Sequence, residues 1–170
     1  QYLLRDKYSR EIKRANWGYY EPRTEHGSSL SPMGYALVAA DTGMVREAYR
    51  YFLHSVLMDV SEPGSFFSGY YNHGVHPCAM AGAWLTIVHG FCGITLSGDG
   101  VVWRKPYMPA HWEELEFSLQ WKEVVIRFCY QEGVFRAQAE KRVPFKTPDG
   151  DQVLTTDSDV VVEACRVAVL

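Results

Sequence analysis

The spacing of hydrophobic residues changes once along the chain. From Ser31 to Ile94 they recur every three or four residues, whereas beyond Gly98-Asp99-Gly100 they alternate with polar residues. The helical spacing is clearest on one predicted helix, whose apolar face consists of Val45, Ala48, Tyr49, Phe52, Leu53, Val56, Leu57 and Val60. The opposite face is charged, so the pattern predicts a helix that is half exposed to water.

Two further predicted helices carry almost no charge. One begins at Ser31, a suitable N-cap followed by Pro32 at the first helical position, and it ends near Gly43. The other runs from Pro77 to Phe91 and is apolar on more than one face, so we expect it to be buried on both sides. An order of buried, half-exposed and buried helices is typical of an α/α barrel, in which inner and outer helices alternate, whereas a simple bundle more often repeats one amphipathic pattern.

The second half of the chain has the period of two that marks strands with one buried face. Residues 115–121 and 124–130 both alternate, and Glu132-Gly133 and Asp149-Gly150 supply tight turns. Short strands joined by hairpins predict an antiparallel sheet or sandwich. The sequence therefore predicts a two-part α+β chain, with barrel helices over residues 1–97 and a small antiparallel sheet or sandwich over residues 98–170.

Composition narrows the class of protein. The chain has 170 residues, of which 47% are hydrophobic, and its net charge of −3 comes without any basic run of five residues, which argues against nucleic acid as a partner. The uncharged stretch 72–98 is interrupted by histidines and glycines, so we interpret it as a buried helix rather than a membrane span. The four cysteines are scattered, as expected for reduced thiols in a cytoplasmic protein: Cys78, Cys92, Cys129 and Cys165. The chain begins Gln-Tyr-Leu-Leu without Met or a signal peptide, and we expect a fragment of a longer protein.

A polar loop leads into the first uncharged helix. It carries His26, Ser28 and Ser29 and ends at Ser31. A helix N-terminus presents unpaired N–H groups and the positive end of the helix dipole, and hydroxyls and a histidine add donors, so the loop suits an anion such as phosphate. The alternative is a capped helix with a serine-rich approach and no ligand. Glu25, in the same loop, could act as a base, although such carboxylates are more often only solvated.

A second histidine, His76, also precedes a helix that starts with proline. It could face the same anion, or it could be a core histidine bonded to the backbone. A metal site would need His73, His76 and Cys78, but their spacing matches no standard zinc pattern and a fourth ligand is missing, so we predict no metal.

Three separated motifs resemble one enzyme family. The first is Tyr19-Tyr20-Glu21-Pro22-Arg23-Thr24 followed by His26-Gly27-Ser28-Ser29-Leu30-Ser31-Pro32, and the second is Gly74-Val75-His76 with Ala79-Met80-Ala81-Gly82-Ala83-Trp84 and Gly90-Phe91-Cys92-Gly93. The third is Pro106-Tyr107-Met108-Pro109 with Trp112 and Leu115-Glu116-Phe117. Over roughly residues 1–140 the chain resembles the maltose, kojibiose and trehalose phosphorylases, the inverting α-glucoside phosphorylases of glycoside hydrolase family sixty-five.

The resemblance implies a fold and a reaction. The fold is the last part of an (α/α)6 barrel followed by a small β-sandwich. In the reaction a glutamic acid protonates the glycosidic oxygen of a disaccharide while phosphate attacks the opposite face, giving β-glucose 1-phosphate. The matching phosphate-binding positions are Ser28, Ser29 and His76, and His26 is a weaker candidate for orienting their loop. No segment matches the surroundings of the general acid, which we expect upstream, so we expect no catalytic residue and no turnover in this chain alone.

The resemblance also implies which cofactors and partners the protein uses. It implies inorganic phosphate as co-substrate, no other cofactor, an α-glucoside disaccharide as substrate and a possible homodimer. We expect no nucleic-acid or membrane partner.

Two alternatives remain open at the level of sequence. One is a hydrolase of the same family, such as a trehalase or kojibiose hydrolase, with Glu25 as its base. Gly27 stands where many relatives have an acidic residue, whereas the retained serine pair favours phosphate. The other is a non-catalytic carbohydrate-binding module using the aromatic residues Trp103, Tyr107, Trp112 and Trp121, although the alternation of its strand predicts that Trp121 belongs to the core.

Overall fold

A computed structural model describes residues 2–60, 74–156 and 158–169. Contacts divide the chain into two compact units, Gln1–Gly90 and Phe91–Leu170. The division falls seven residues before the predicted boundary because the segment that precedes residue 98 already packs with strands. Phe91 contacts the Trp112 ring at a centroid distance of 5.4 Å, and the Cys92 carbonyl accepts a hydrogen bond of 3.0 Å from the Trp103 indole.

The first unit is helical. It contains α1 (Arg10–Tyr20), α2 (Ser31–Asp41), α3 (Val45–Val56) and α4 (Pro77–Leu85), with 3₁₀ turns over Tyr2–Lys7 and Glu21–Arg23 and a π-helical continuation of α4 over Thr86–Phe91. The helical stretch predicted from Pro77 to Phe91 is thus confirmed. So is the end of α2, because Gly43 follows the helix with a φ of 72°, a left-handed conformation that glycine adopts without strain. No helix among the described residues is long and apolar enough to span a bilayer.

The sequence pattern does not predict α1. Its eleven residues include four charged side chains in the first turn and a half, and Lys13 is its one buried residue. The helix is fixed by polar contacts instead. Ser9 caps it by accepting the Ile12 N–H at 3.3 Å, and the Lys13 ammonium forms a buried ion pair of 2.5 Å with Asp41 at the end of α2.

Helices α2 and α4 lie side by side and run in the same direction. A Cβ at Gly82 would overlap the Met33 side chain, and a Cβ at Gly90 would lie 3.0 Å from that of Ala40. Contact positions therefore advance together along both helices, and the N-termini of α2 and α4 lie at the same end of the unit. Met33 is the third residue of α2, whereas Gly82 is the sixth residue of α4. The N-terminus of α4 therefore extends about 4.5 Å further than the N-terminus of α2 at this end of the unit.

Helix α3 returns antiparallel beside α2 after a three-residue connection. Its buried residues are Val45, Ala48, Tyr51, Phe52 and Ser55. The predicted stripe is right for its first half, but Val60 is 73% exposed because the helix ends at Val56 and the helical period stops there. Antiparallel packing brings the end of α3, with Asp59 beyond it, to the end where α2 and α4 begin.

Two details of the predicted helices are wrong. Ser31 is the first residue of α2 rather than its cap: Leu30 occupies the N-cap position, and the Ser31 hydroxyl bonds to His26. Helix α4 is not buried on both sides within the described chain, since Ala79, Gly82 and Ala83 are buried but Trp84 is 44% exposed. An apolar sequence indicates that a helix face can be buried. It does not indicate whether the element that packs against that face belongs to this chain.

The described residues of the second unit form ten strands. They are β1 (Ile94–Ser97), β2 (Gly100–Trp103), β3 (Tyr107–Pro109), β4 (Glu114–Trp121), β5 (Val124–Gln131), β6 (Val134–Ala139), β7 (Val143–Thr147), β8 (Gly150–Leu154), β9 (Val160–Glu163) and β10 (Cys165–Val167). The two four-stranded sheets have the orders β1-β2-β7-β8 and β4-β5-β6-β9, and β3 pairs with β10. The prediction of mixed helix and antiparallel sheet is confirmed, with two exceptions: β2 with β7 and β3 with β10 pair in parallel.

Aromatic side chains from both four-stranded sheets form the core of the second unit. The Trp103 ring, on β2, lies 5.3 Å from Phe128 on β5 and 5.7 Å from Phe135 on β6. Trp121 is only half-buried, contrary to its predicted place in the core, because it is the last residue of β4 and its indole donates to the Ser97 carbonyl at 2.7 Å.

Candidate functional site

The candidate site lies where α2 and α4 begin. The loop with Ser28 and Ser29 leads into α2, and His76 immediately precedes α4. Because the two helices are parallel, the positive ends of both dipoles and their unpaired N–H groups lie at this end of the helical unit. The structure thus brings two separate sequence motifs to the same end of one unit.

His26 closes the serine loop through its side chain. Its Nδ1 lies 2.8 Å from the Ser31 hydroxyl, so the imidazole spans residues 27–30 and contacts the first residue of α2. Its Nε2 lies 3.0 Å from the Tyr51 hydroxyl on α3, and its ring lies edge-on against Tyr35 at 4.7 Å. This placement requires an unfavourable backbone conformation: His26 has a φ of 55°, in the left-handed region that few non-glycine residues occupy.

Tyr51 connects His26 to a carboxylate. Its hydroxyl donates to Glu21 Oε1 at 2.7 Å, and the Arg50 guanidinium donates to the same oxygen at 2.7 Å. Burial raises the pKa of Tyr51, and the hydrogen bond to Glu21 raises it further, so the phenol keeps its proton at neutral pH. Because that single proton goes to Glu21, the Tyr51 oxygen must accept the Nε2–H of His26, which fixes the imidazole tautomer.

The serine pair has a defined backbone and uncommitted hydroxyl protons. The Ser31 N–H donates to the Ser28 carbonyl at 3.0 Å, and Ser28 Oγ accepts the Leu30 N–H at 3.3 Å, which makes a tight turn into α2. Ser28 is exposed and Ser29 is half-buried. The Ser29 hydroxyl makes no hydrogen bond to any residue in the described part of the chain. Both hydroxyl groups can therefore donate to a ligand in front of the helix.

A second carboxylate holds His76. Asp59 accepts the His76 backbone N–H at 2.7 Å through Oδ2 and meets the His76 Nδ1 at 2.7 Å through Oδ1. The backbone hydrogen bond and then the side-chain hydrogen bond lower the pKa of Asp59, so it is ionised and can only accept. The His76 Nδ1 must therefore carry a proton. This two-point contact fixes the rotation of the imidazole as well as its tautomer.

A third histidine, His54, lies on α3 near this end of the unit and has a shifted pKa. Burial lowers the pKa of His54, and the nearby charge of His26 lowers it further. His54 lies one helical turn beyond Arg50 on α3.

The remaining predicted residues lie apart from this arrangement. Glu25 is exposed and has no hydrogen bond or ion pair with the described residues. His73 lies outside the described residues. Across residues 2–60, 74–156 and 158–169 no three histidine, cysteine or acidic side chains gather as metal ligands would.

The aromatic set of the binding-module alternative does not form an exposed platform. Trp103 is 1% exposed and belongs to the core. Tyr107, Trp112 and Trp121 are half-buried. Stacking of a sugar ring needs an open aromatic face, so these positions give that alternative no support.

Sequence reasoning missed the residues that hold the two histidines. Asp59 was one carboxylate among several on the charged side of a helix, and Glu21 and Tyr51 had no assigned role. Both acids act through contacts across 17 or more residues of sequence, which periodicity does not reveal. One available signal was Tyr51, an aromatic residue on α3 outside the predicted apolar stripe and beside Arg50.

Comparison with known proteins identifies the helical unit. Residues 1–85 match the glycosyl hydrolase family 65 central catalytic domain. The chain is 36% identical over 140 residues to a nigerose phosphorylase from Lachnoclostridium phytofermentans, covering 82% of this chain and 17% of that protein. It is 32% identical over 154 residues to the maltose phosphorylase of Bacillus subtilis, covering 88% of this chain and 18% of that protein.

A solved structure shares the fold. This protein from the human microbiome, assigned as a kojibiose phosphorylase, superposes with a TM-score of 0.80 at 23% identity, over 95% of this chain and 21% of that chain. The chain spans less than a fifth of the curated relatives described above. The resemblance carried by the three sequence motifs is confirmed by the match over the first half of the chain, and the chain belongs to glycosyl hydrolase family 65.

Proposed function

We propose that this chain is part of an inverting α-glucoside phosphorylase and that it contributes the phosphate-binding side of the active site. Its named relatives in the family are disaccharide phosphorylases. The observation that carries the assignment to this end of the helical unit is the parallel start of α2 and α4, with the serine pair before one helix and His76 before the other.

The groups at this end suit a phosphate. Helix N-terminal N–H groups and the hydroxyls of Ser28 and Ser29 donate hydrogen bonds, which are stronger to an ionised acceptor. Asp59 engages the His76 Nδ1–H, so His76 would meet phosphate through Nε2, which donates when the imidazole is protonated and otherwise accepts a phosphate O–H. The protein's task in this reaction is to hold the attacking anion in line with the glycosidic bond and to stabilise its charge.

The rest of the reaction would come from outside the chain. A glutamic acid elsewhere in an (α/α)6 barrel would protonate the leaving oxygen while phosphate attacks from the opposite face, giving β-glucose 1-phosphate. The relatives are named for different disaccharides, nigerose and maltose, so we propose the class α-glucoside disaccharide and no single member. We also propose that the full-length protein is a cytoplasmic homodimer and that it needs no cofactor beyond its co-substrate phosphate.

The direct test is the phosphate dependence of the full-length protein. Incubated with a panel of α-linked glucose disaccharides, it should release glucose 1-phosphate only when inorganic phosphate is present, and NMR of the fresh product should show the β-anomer. Free glucose formed at the same rate without phosphate would assign a hydrolase instead. Glu25→Gln should then abolish activity, whereas a phosphorylase should retain it.

A further inference from the structure

The serine loop is tied to α3 through four side chains that run in series. They are Ser31, His26, Tyr51 and Glu21, called here the His26 network, with successive contacts of 2.8, 3.0 and 2.7 Å. One end of the network is the first residue of α2, and the other is a carboxylate paired with Arg50. Ser28 and Ser29 lie between the backbone of His26 and that of Ser31, so the network closes the loop that carries them.

Each member of the network is held by its surroundings. Tyr51 is 6% exposed, and its ring lies 5.1 Å from the His26 ring and 5.6 Å from the Tyr35 ring. Tyr35 is fixed in turn by Thr24, whose hydroxyl lies 2.6 Å from the Tyr35 phenol. An imidazole packed between two rings and bonded at both nitrogens has one orientation and one tautomer.

The strained backbone of His26 indicates what the network does. A φ of 55° is unfavourable for a non-glycine residue and persists only where surrounding contacts determine it. The loop would relax without those contacts. The contact with Ser31 holds the turn, and the contact with Tyr51 holds the imidazole to α3.

We propose that His26 is a positioning residue: held by Tyr51 and Glu21, its imidazole keeps Ser28 and Ser29 in the conformation that receives phosphate. The inference rests on the proposed phosphate site and extends it from the groups that touch the anion to the side chains behind them. Glu21, at the end of α1, and Tyr51, on α3, then influence phosphate binding without touching the anion.

Three variants of the full-length protein separate the two contacts of His26. Tyr51→Phe keeps the packed ring and removes the hydroxyl. His26→Gln places an amide where Nε2 was, so it keeps the Tyr51 contact and loses Ser31. His26→Asn places an amide where Nδ1 was and tolerates a positive φ, so it keeps Ser31 and loses Tyr51. Tyr8→Phe, at an exposed tyrosine without a partner among the described residues, is the matched control.

The expected result is a selective loss of phosphate affinity. Tyr51→Phe and both His26 variants should raise the KM for phosphate by about 3- to 10-fold, the equivalent of one hydrogen bond, and leave the KM for the disaccharide within about twofold. Hydrogen exchange of the amides over residues 27–31 should rise in the same three variants. Tyr8→Phe should change neither quantity.

Two results would overturn the inference. One is unchanged exchange over residues 27–31 in Tyr51→Phe, which would show that the loop does not depend on the network. The other is an unchanged phosphate KM in the three variants while Ser29→Ala, the reference for the phosphate site, raises it. If Ser29→Ala itself has no effect on the phosphate KM, the proposed function fails. Hydrogen exchange over residues 27–31 then tests, by itself, whether His26 positions the loop.

Discussion

At the scale of single residues, the account depends on two histidines whose tautomers are set by acids. Asp59 fixes the Nδ1–H of His76, and Glu21 fixes the Nε2–H of His26 through Tyr51. Sequence motifs pointed to the histidines and the serines, because helix entrances rich in donors are recognisable. They did not point to the acids, because each is brought to its histidine by helix packing.

The Asp59 contact makes a prediction about phosphate binding. Asp59→Asn offers one acceptor oxygen where two hydrogen bonds were made and loses the charge, so His76 should lose its fixed orientation. We expect the phosphate KM of the full-length protein to rise by about 10- to 100-fold at neutral pH, as for loss of hydrogen bonds to a charged group. Asp149→Asn, at an exposed turn of the second unit, is the control and should leave it unchanged.

The same contact predicts a pH dependence of stability. The folded pKa of Asp59 is lowered, so its contribution is fully present above the ordinary carboxyl pKa of about 4 and is lost as the pH falls through the lowered value. In thermal unfolding the wild type should therefore exceed Asp59→Asn in Tm at pH 7, and the difference should shrink towards zero below about pH 4. A difference that stays constant down to pH 3 would contradict the assigned contact.

At the scale of elements, hydrophobic period predicted the three central helices, and close contacts determined their arrangement. The stretch Pro77–Phe91 was predicted as one helical segment, yet its direction beside α2 depends on Met33 packing on Gly82 and Ala40 on Gly90. Such contacts join residues about 50 positions apart, and a single sequence does not show them. The period also failed for α1, which is held by the Lys13–Asp41 ion pair rather than by an apolar stripe.

The parallel packing predicts opposite effects of two glycine substitutions. Gly82→Ala would place a methyl group on Met33 at the α2–α4 contact and should destabilise the protein by about 1–3 kcal/mol. Gly34→Ala, on α2, meets nothing within 4 Å and should stabilise it by about 0.5–1 kcal/mol, as alanine does inside a helix. Denaturant unfolding of the full-length variants measures both. Equal effects would show that Gly82 does not face α2.

At the scale of the whole molecule, two units of different architecture follow each other, and sequence alone predicted this from the change of period. It placed the boundary at residue 97 because strand alternation is clear only after Gly98, whereas Phe91 and Ile94 already belong to the core of the second unit. The parallel pairing of β2 with β7 was also beyond prediction, since hairpin turns reveal only neighbours in sequence.

The central claim, that this chain holds the phosphate of a disaccharide phosphorylase, is tested most directly by Ser29→Ala in the full-length protein. The hydroxyl would donate to an ionised ligand, so its loss should raise the KM for phosphate by about 10- to 100-fold while the KM for the disaccharide and the Tm stay near wild type. Ser118→Ala, at an exposed position of β4, should change none of the three. A phosphate KM equal to that of wild type in Ser29→Ala would contradict the account.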